Sequence, residues 1–588
     1  MRSLAIWSLH LVLFLFTNIV IGQIGFNSPP DVQTWCGKPY MSTNQSLNPG
    51  GQFQFPAAQK DPLLHVTIQP RYTIYVDGDA EAEFIVGGAI SHTLGGPYIN
   101  TTSDKNGTIT PFDTLKFTVV NEEDGEIPVI DSISVNTTGK LFKFPLSSWT
   151  PRPAPYPIKL YGSSPDGKQT YTISTSIYFL PHRTKGSAVK IDNLHGGLYV
   201  QNKFNSHSGW YALFPVGYYA DGNHVTPTVF NTTNIDIYSS QGFNTISIVP
   251  DGGSPDQSYP IDSLSKYWDH VDILNLFNIY QLRFAFQNTT RLATQVALWK
   301  DRETLLSWYT ADEPDGWSYP LNSTSLAYAT LRELDPYHPV SLVLNCQNYH
   351  YTSYASGADI VMQDAYPVGI NATYSIPFST PCNTTYGDCG CDNCIGSLSD
   401  VSTRLEVLHH YQAYLPPSSP GVGNKPTWSV LQAFGEQSYW PRLPTSEEVV
   451  NMMMLSINHG AKGLSYWLYP STVETNVQTG ALGRVLSSEP ALGFLLGTEP
   501  VRGLSVEGVM LDVSAWVLGE KVLVGVVNGV YVDVRAPAKI SMPEGVSVSG
   551  VDQVLCGDEG WNIEDGKLVK SGFKGLEVSL LVLQRNTP

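Results

Sequence analysis

The chain has 588 residues, a length that implies several folding units rather than one. Its 34 basic against 52 acidic residues leave a net charge of −18 with no basic stripe, which argues against nucleic acid as a partner. The 13 Trp and 32 Tyr supply flat rings with a polar edge, which suit stacking on sugars and equally serve β-rich cores.

In chain order, Met1-Arg2-Ser3 is followed by an apolar run from Leu4 to Ile21 and then Gly22-Gln23. A charged start, an apolar middle and a small residue at a cut site read as a signal peptide over 1–22. The run has almost the length of an uncleaved anchor, but Val20-Ile21-Gly22 fits cleavage. No later stretch could span a membrane, and Leu580 to Pro588 lacks the long apolar tail of a lipid-anchor signal. The expectation is a secreted, extracellular protein, free of the membrane once the signal is removed. Sequons at Asn44, Asn100, Asn106, Asn136, Asn231, Asn288, Asn322, Asn371 and Asn383 fit that route. Among the cysteines Cys36, Cys346, Cys382, Cys389, Cys391, Cys394 and Cys556, four crowd into one loop. Two disulfides stapling that loop are expected rather than a zinc site on Cys391 and Cys394; the pairing is open, and the odd total leaves one thiol over.

From 23 to 184 the chain shows short β-type runs broken by Gly, Pro and Asn, such as His65–Ile68, Ala82–Val86, Leu115–Val120 and Tyr171–Phe179. Their spacing predicts a β-sandwich, with Thr150–Pro157 as an interstrand or edge loop. From 185 to 500 strand-like and helix-like segments alternate. Eight strands are predicted, at Ala212–Tyr219, Thr245–Val249, Gln281–Phe286, Leu305–Thr310, Val340–Leu344, Ile360–Asp364, Thr427–Gln432 and Gly463–Tyr469. Between them, Leu264, Tyr267, Val271 and Leu274 recur at helical spacing, Asp400 is placed to cap a helix, and Thr445-x-x-Glu448 is a capping box ahead of Val449 and Met452. Eight such units, with no Gly-rich phosphate loop after the first strand, predict an α/β chain built on a closed (β/α)8 TIM barrel. From 501 to 588 short strands return as a small C-terminal β-domain.

Catalytic groups of such a barrel project from the C-terminal strand ends. That filter retains Asp221, Asp251, Asp312, Glu313, Asp364 and Glu436. Asp221-Gly222 and Asp251-Gly252 read as turns. Cleavage of a glycosidic bond needs two carboxyl groups, one to protonate the leaving oxygen and one to attack or to activate water. Strands four and seven face each other across the mouth, so Glu313 and Glu436 form the natural pair, with Asp364 as the other choice of partner.

The run Trp308-Tyr309-Thr310-Ala311-Asp312-Glu313-Pro314 resembles the strand-four end of the clan A barrel glycoside hydrolases, where an Asn-Glu dipeptide, often before Pro, carries the acid/base. The helix-to-strand junction Leu331–Val340 and the strand-eight end Gly463–Trp467 are similar to theirs as well. The resemblance covers about half the chain and implies a retaining glycosidase with Glu313 as acid/base and Glu436 as nucleophile, acting on an extracellular or cell-wall polysaccharide or glycan. It further implies substrate contacts from Asp312 and a sugar-stacking Trp467, while position at the strand ends adds Trp308, Asp364, Tyr366 and Gln432 as expected mouth-lining contacts. Two positions depart from the pattern. Asp312 stands where Asn is usual and adds a charge beside Glu313, and Gln432 stands where the strand-seven Glu is expected. A catalytically silent carbohydrate-binding barrel is the alternative. No cofactor is implied, no metal site is convincing, and nothing sets an oligomeric state.

Overall fold

The structure is a computed structural model that describes residues 28–103, 107–204, 209–220, 232–250, 260–415 and 425–586. The apolar leader, the sequons at Asn106 and Asn231, and Asp221 and Asp251 lie outside the described residues. None of the seven described sequon asparagines is buried. Among the described residues no helix is long and apolar enough to cross a membrane.

Strict alternation builds the N-terminal sandwich. Leu63–Pro70, Thr114–Asn121 and Tyr156–Ser163 bury every second residue, as a half-solvated strand must. Val129–Ser134, Thr114–Asn121, Tyr156–Ser163 and Thr170–Ile177 form one four-stranded sheet, and Thr137–Pro145, Glu81–Ser91, Leu63–Pro70 and Gly96–Pro97 the other. Leu64, Phe84, Val86, Leu115, Val119, Ile158 and Leu160 meet between them. Each such side chain contributes about 1.5–3 kcal/mol on burial.

The central unit is a closed parallel barrel of Val216–Ala220, Thr245–Ser247, Phe277–Gln281, Leu305–Asp312, Val340–Leu344, Ile360–Gln363, Thr427–Gln432 and Leu464–Tyr469. Tyr219, Ile279, Leu306, Tyr309, Val343, Met362, Trp428 and Val430 fill its interior. At Gly217 a Cβ would lie 1.9 Å from the Thr245 carbonyl oxygen, so only glycine lets the first two strands approach this closely. A three-stranded antiparallel sheet, Ala188–Ile191, Leu198–Gln201 and Tyr211–Leu213, packs on the same interior core.

Two strands differ from expectation. The predicted first strand is split at Pro215, and its leading part belongs to the antiparallel sheet. The third lies at Phe277–Gln281 rather than Gln281–Phe286. Its polar Asn278 and Gln281 disguise it; both are buried, donating to the Tyr267 hydroxyl at 2.7 Å and to Ser247 Oγ at 3.0 Å. Asp400 is the first residue of helix Asp400–Gln412, and its carboxylate accepts the backbone N–H groups of Ile395, Gly396 and Ser397 instead of capping the helix. The capping box at Thr445 and Glu448 forms as read.

The C-terminal unit pairs two four-stranded sheets, and it docks through Lys521–Val527 on helix Ser446–Asn458. There Asn451 Nδ2 donates to the carbonyls of Asn528 and Leu576, at 2.9 and 3.1 Å. Cys382 pairs with Cys389 and Cys391 with Cys394, which takes the latter two out of a zinc reading; Cys556 is the free thiol. The third disulfide, Cys36–Cys346, joins the segment ahead of the sandwich to the loop after barrel strand five, 310 residues away.

Asp335 ties several elements together. Its buried carboxylate accepts from Trp308 Nε1 at 2.9 Å and His338 Nδ1 at 2.7 Å, and faces Arg183 of the sandwich-to-barrel connection at 3.4 Å. Asp335→Ala leaves those donors without an acceptor. It is expected to cost roughly 3–5 kcal/mol, seen as a lower denaturant midpoint; a loss under 1 kcal/mol would contradict this role.

Candidate active site

Strands four, five and six end side by side, and their last residues converge. Glu313 follows strand four with φ of 50°, a left-handed conformation unusual for a residue with a side chain. Its N–H donates to the Val343 carbonyl at 3.1 Å, which pins this turn to strand five. Asn345, one residue beyond strand five, donates through Nδ2 to Glu313 Oε1 at 3.1 Å and to Asp364 Oδ1 at 3.2 Å. Asp364 is the first residue beyond strand six, and its carboxyl lies beside that of Glu313 on the same Asn345 nitrogen.

Electrostatics follow from that contact. Burial holds the Asp364 carboxyl well above the usual carboxylate range, and the charge of Glu313 and the hydrogen bond to it push the same way; Arg404 opposes them. Of the pair, Asp364 is the member whose surroundings favour the proton. Asp315 lies just behind, pushed up to about 7 by burial, although it accepts from the backbone N–H groups of Cys346, Asn345 and Gly316. Burial likewise raises the hydroxyls of Tyr219, Tyr309 and Tyr366 above the ordinary tyrosine value, so all three stay neutral hydrogen-bonding groups.

Asp312 is held on two sides, by an ion pair with Arg283 and a hydrogen bond from the Tyr309 hydroxyl. The charge it adds beside Glu313 is thus offset by a guanidinium. Half-buried rings flank Glu313: Trp317 and Tyr319 lie parallel with centroids 6.5 Å apart, and Trp35 meets Trp317 edge-on at 5.5 Å. Tyr366 packs edge-on against Phe434 at 5.0 Å, and Trp467 packs against Tyr219 at 5.4 Å at the strand-eight end.

Several expected contacts are corrected. Trp308 is fully buried and faces the helix layer, where its N–H is spent on Asp335; strand alternation sends Tyr309, not Trp308, into the barrel. Gln432 is also fully buried, with Oε1 accepting from Val368 N and Nε2 donating to the Val368 and Phe434 carbonyls, which leaves nothing for a sugar. Glu436 stands exposed on a left-handed turn, and among the described residues no hydrogen bond or ion pair reaches it. The partner brought to Glu313 is Asp364. Both contact the same Asn345 nitrogen, at 3.1 and 3.2 Å, so these two carboxyl oxygens lie closer together than the roughly 6.5–9.5 Å that inversion requires.

Sequence reasoning missed Arg283, Asn345, Trp35, Trp317 and Tyr319. Asn345 was discoverable, since it directly follows a strand, but a filter for carboxylates passes over an amide. Two surface hollows, of about 290 and 630 Å3, lie elsewhere, one between 51–56 and 350–353 and the other beside Asp269 and Asp301.

No protein-family model matches the chain, and no curated protein does. Solved structures similar to it include a beta-glucuronidase from an uncultured Clostridium species, at 10% identity over 69% of this chain and 61% of that one, TM-score 0.29. A putative beta-galactosidase from Bacteroides fragilis matches at 11% identity over 88% and 69%, TM-score 0.32. An alpha-amylase from Anoxybacillus matches at 9% identity over 64% and 98%, TM-score 0.39. The chain spans about three fifths of the length of the first of these. The chemistry of the site rests on the residues of this chain.

A raised carboxyl destabilises the fold as pH rises from the unfolded value, about 4, toward the folded one. Asp364→Asn removes that loss. The variant is expected to gain stability relative to the native protein as pH rises from 5 to 8 in thermal unfolding; a difference independent of pH would contradict a protonated Asp364.

Proposed function

We propose that the protein is a secreted glycoside hydrolase in which Glu313 delivers the proton to the leaving oxygen. The observation that carries this reading is the carboxyl pair at the C-terminal mouth of a TIM barrel, Glu313 half-exposed and Asp364 buried beside it with its carboxyl raised by burial. In such a pair Asp364 can pass its proton to Glu313 as Glu313 gives one to the leaving oxygen, which supplies the general acid that the reaction needs. Beside it, Trp317, Tyr319 and Trp467 offer ring faces to a sugar, and Asp312 with Arg283 offers a charged, hydrogen-bonding edge to its hydroxyls. The substrate class is an extracellular or cell-wall polysaccharide or glycan.

A retaining route through Glu436 requires this exposed carboxylate to stand about 5–5.5 Å from Glu313. The site as built favours Asp312 over Glu436 as the carboxylate that meets the sugar ring. A second reading, a carbohydrate-binding barrel without turnover, draws on the same exposure of Glu436 and on the bound state of Gln432.

Assays on aryl glycosides and cell-wall polysaccharides separate these outcomes. Glu313→Gln is expected to lower turnover by about 10²–10⁴-fold with glycan binding intact. Asp312→Asn is expected to fall by about 10²-fold, and Glu436→Ala to stay within about tenfold of native. Azide rescue of a dead Glu436→Ala variant would instead restore Glu436 as nucleophile. Glycan binding by a native protein that cleaves none of these substrates would establish the second reading.

A further inference from the structure

Asn345 touches both carboxyls through one nitrogen, so the side of its amide that faces them matters. With Nδ2 inward it donates to Glu313 and Asp364; turned over, it would present a carbonyl oxygen to both. What sets the orientation is the partner of Oδ1. Among the described residues that partner is the indole N–H of Trp35, at 2.9 Å.

Trp35 is remote in sequence but firmly seated. It belongs to a short hairpin, Thr34–Trp35 with Lys38–Pro39, that precedes the sandwich and lies against the barrel. The next residue, Cys36, is bonded to Cys346, which directly follows Asn345. Lys38 is ion-paired with Asp392, and Asp392 in turn accepts from Gln347 N at 2.8 Å. The indole lies over Gly316, where a Cβ would come within 2.5 Å of its ring. From the barrel side, Arg404 donates to the Asn345 carbonyl, and Asp315 accepts from the backbone N–H groups of Asn345 and Cys346.

We infer that Trp35 is a positioning residue of the active site, its indole N–H holding the Asn345 amide so that it donates to the Glu313–Asp364 pair, with the Cys36–Cys346 disulfide fixing it there. The catalytic consequence rests on the hydrolase reading above. A donor facing the pair favours its charged form, and an acceptor in its place favours the protonated form. The other charged or titratable groups around the pair are Asp312, Asp315, Arg283, Arg404, Tyr219, Tyr309, Tyr319 and Tyr366, and Trp35 hydrogen-bonds to none of them.

Trp35→Phe keeps a ring against Trp317 and removes the one N–H. The direct readout is the infrared titration of the buried carboxylic C=O stretch, assigned with Asp364→Asn, because it needs no turnover. In Trp35→Phe its midpoint is expected to rise by about half a unit or more. The alkaline limb of kcat/KM is expected to move the same way, with kcat down about tenfold and KM little changed. Asn345→Ala, which leaves the hairpin untouched, is expected to shift the midpoint in the same direction. A native midpoint in both variants overturns the inference. If the midpoint moves but no glycoside is cleaved by the native protein, the hydrolase reading fails and the positioning role stands. If Glu313→Gln is inactive while Trp35→Phe matches native in midpoint, rate and pH profile, the positioning role fails and the hydrolase reading stands.

Discussion

Two carboxyl groups pressed together in a barrel mouth cannot both carry charge, and the surroundings of Glu313 and Asp364 are arranged around that constraint. Burial is the strongest influence on Asp364, which makes it the member that favours the proton. The groups that touch the pair then divide the work. Asn345 donates to both carboxyls, Tyr366 and Tyr309 stay neutral beside them, Arg404 is engaged by the Asn345 carbonyl, and Arg283 by Asp312. The Arg283 charge is thus paired with Asp312 at the strand-four end.

The barrel makes this convergence possible because its closure places the ends of strands four, five and six next to one another. Strand alternation then sorts side chains between two environments. Tyr309 enters the interior and Trp308 the helix layer, where Asp335 joins it to His338 and to Arg183. The same carboxylate thereby joins strand four, the turn at His338 and the connection from the sandwich. Precision at the mouth depends on such buried polar ties, since unpaired partners inside the protein are costly.

Much of the architecture was legible in the chain because it rests on local periodicity. Val340–Leu344 and Thr427–Gln432 were read to the residue, and the capping box at Thr445 marked its helix. The third strand was misplaced because Asn278 and Gln281 look exposed until Tyr267 and Ser247 supply their partners. At the site, Glu313, Asp364 and Glu436 were all found by their place after strands, and the preference for Glu436 came from the opposition of strands four and seven, which does not say where a turn points its side chain. Trp35 left no local signal at all. Its partner Asn345 is 310 residues away, and only Cys36 hinted that the N-terminal segment crosses to the barrel.

The central claim is that Glu313 gives a proton to the departing oxygen. A leaving group that is already a weak base needs no such proton. The most direct measurement is therefore the rate of Glu313→Gln across aryl glycosides of graded leaving-group basicity, compared with native. The account predicts near-native rates with the most acidic phenols and losses that steepen as the leaving group becomes more basic. A deficit of constant size across the series would contradict Glu313 as the proton donor.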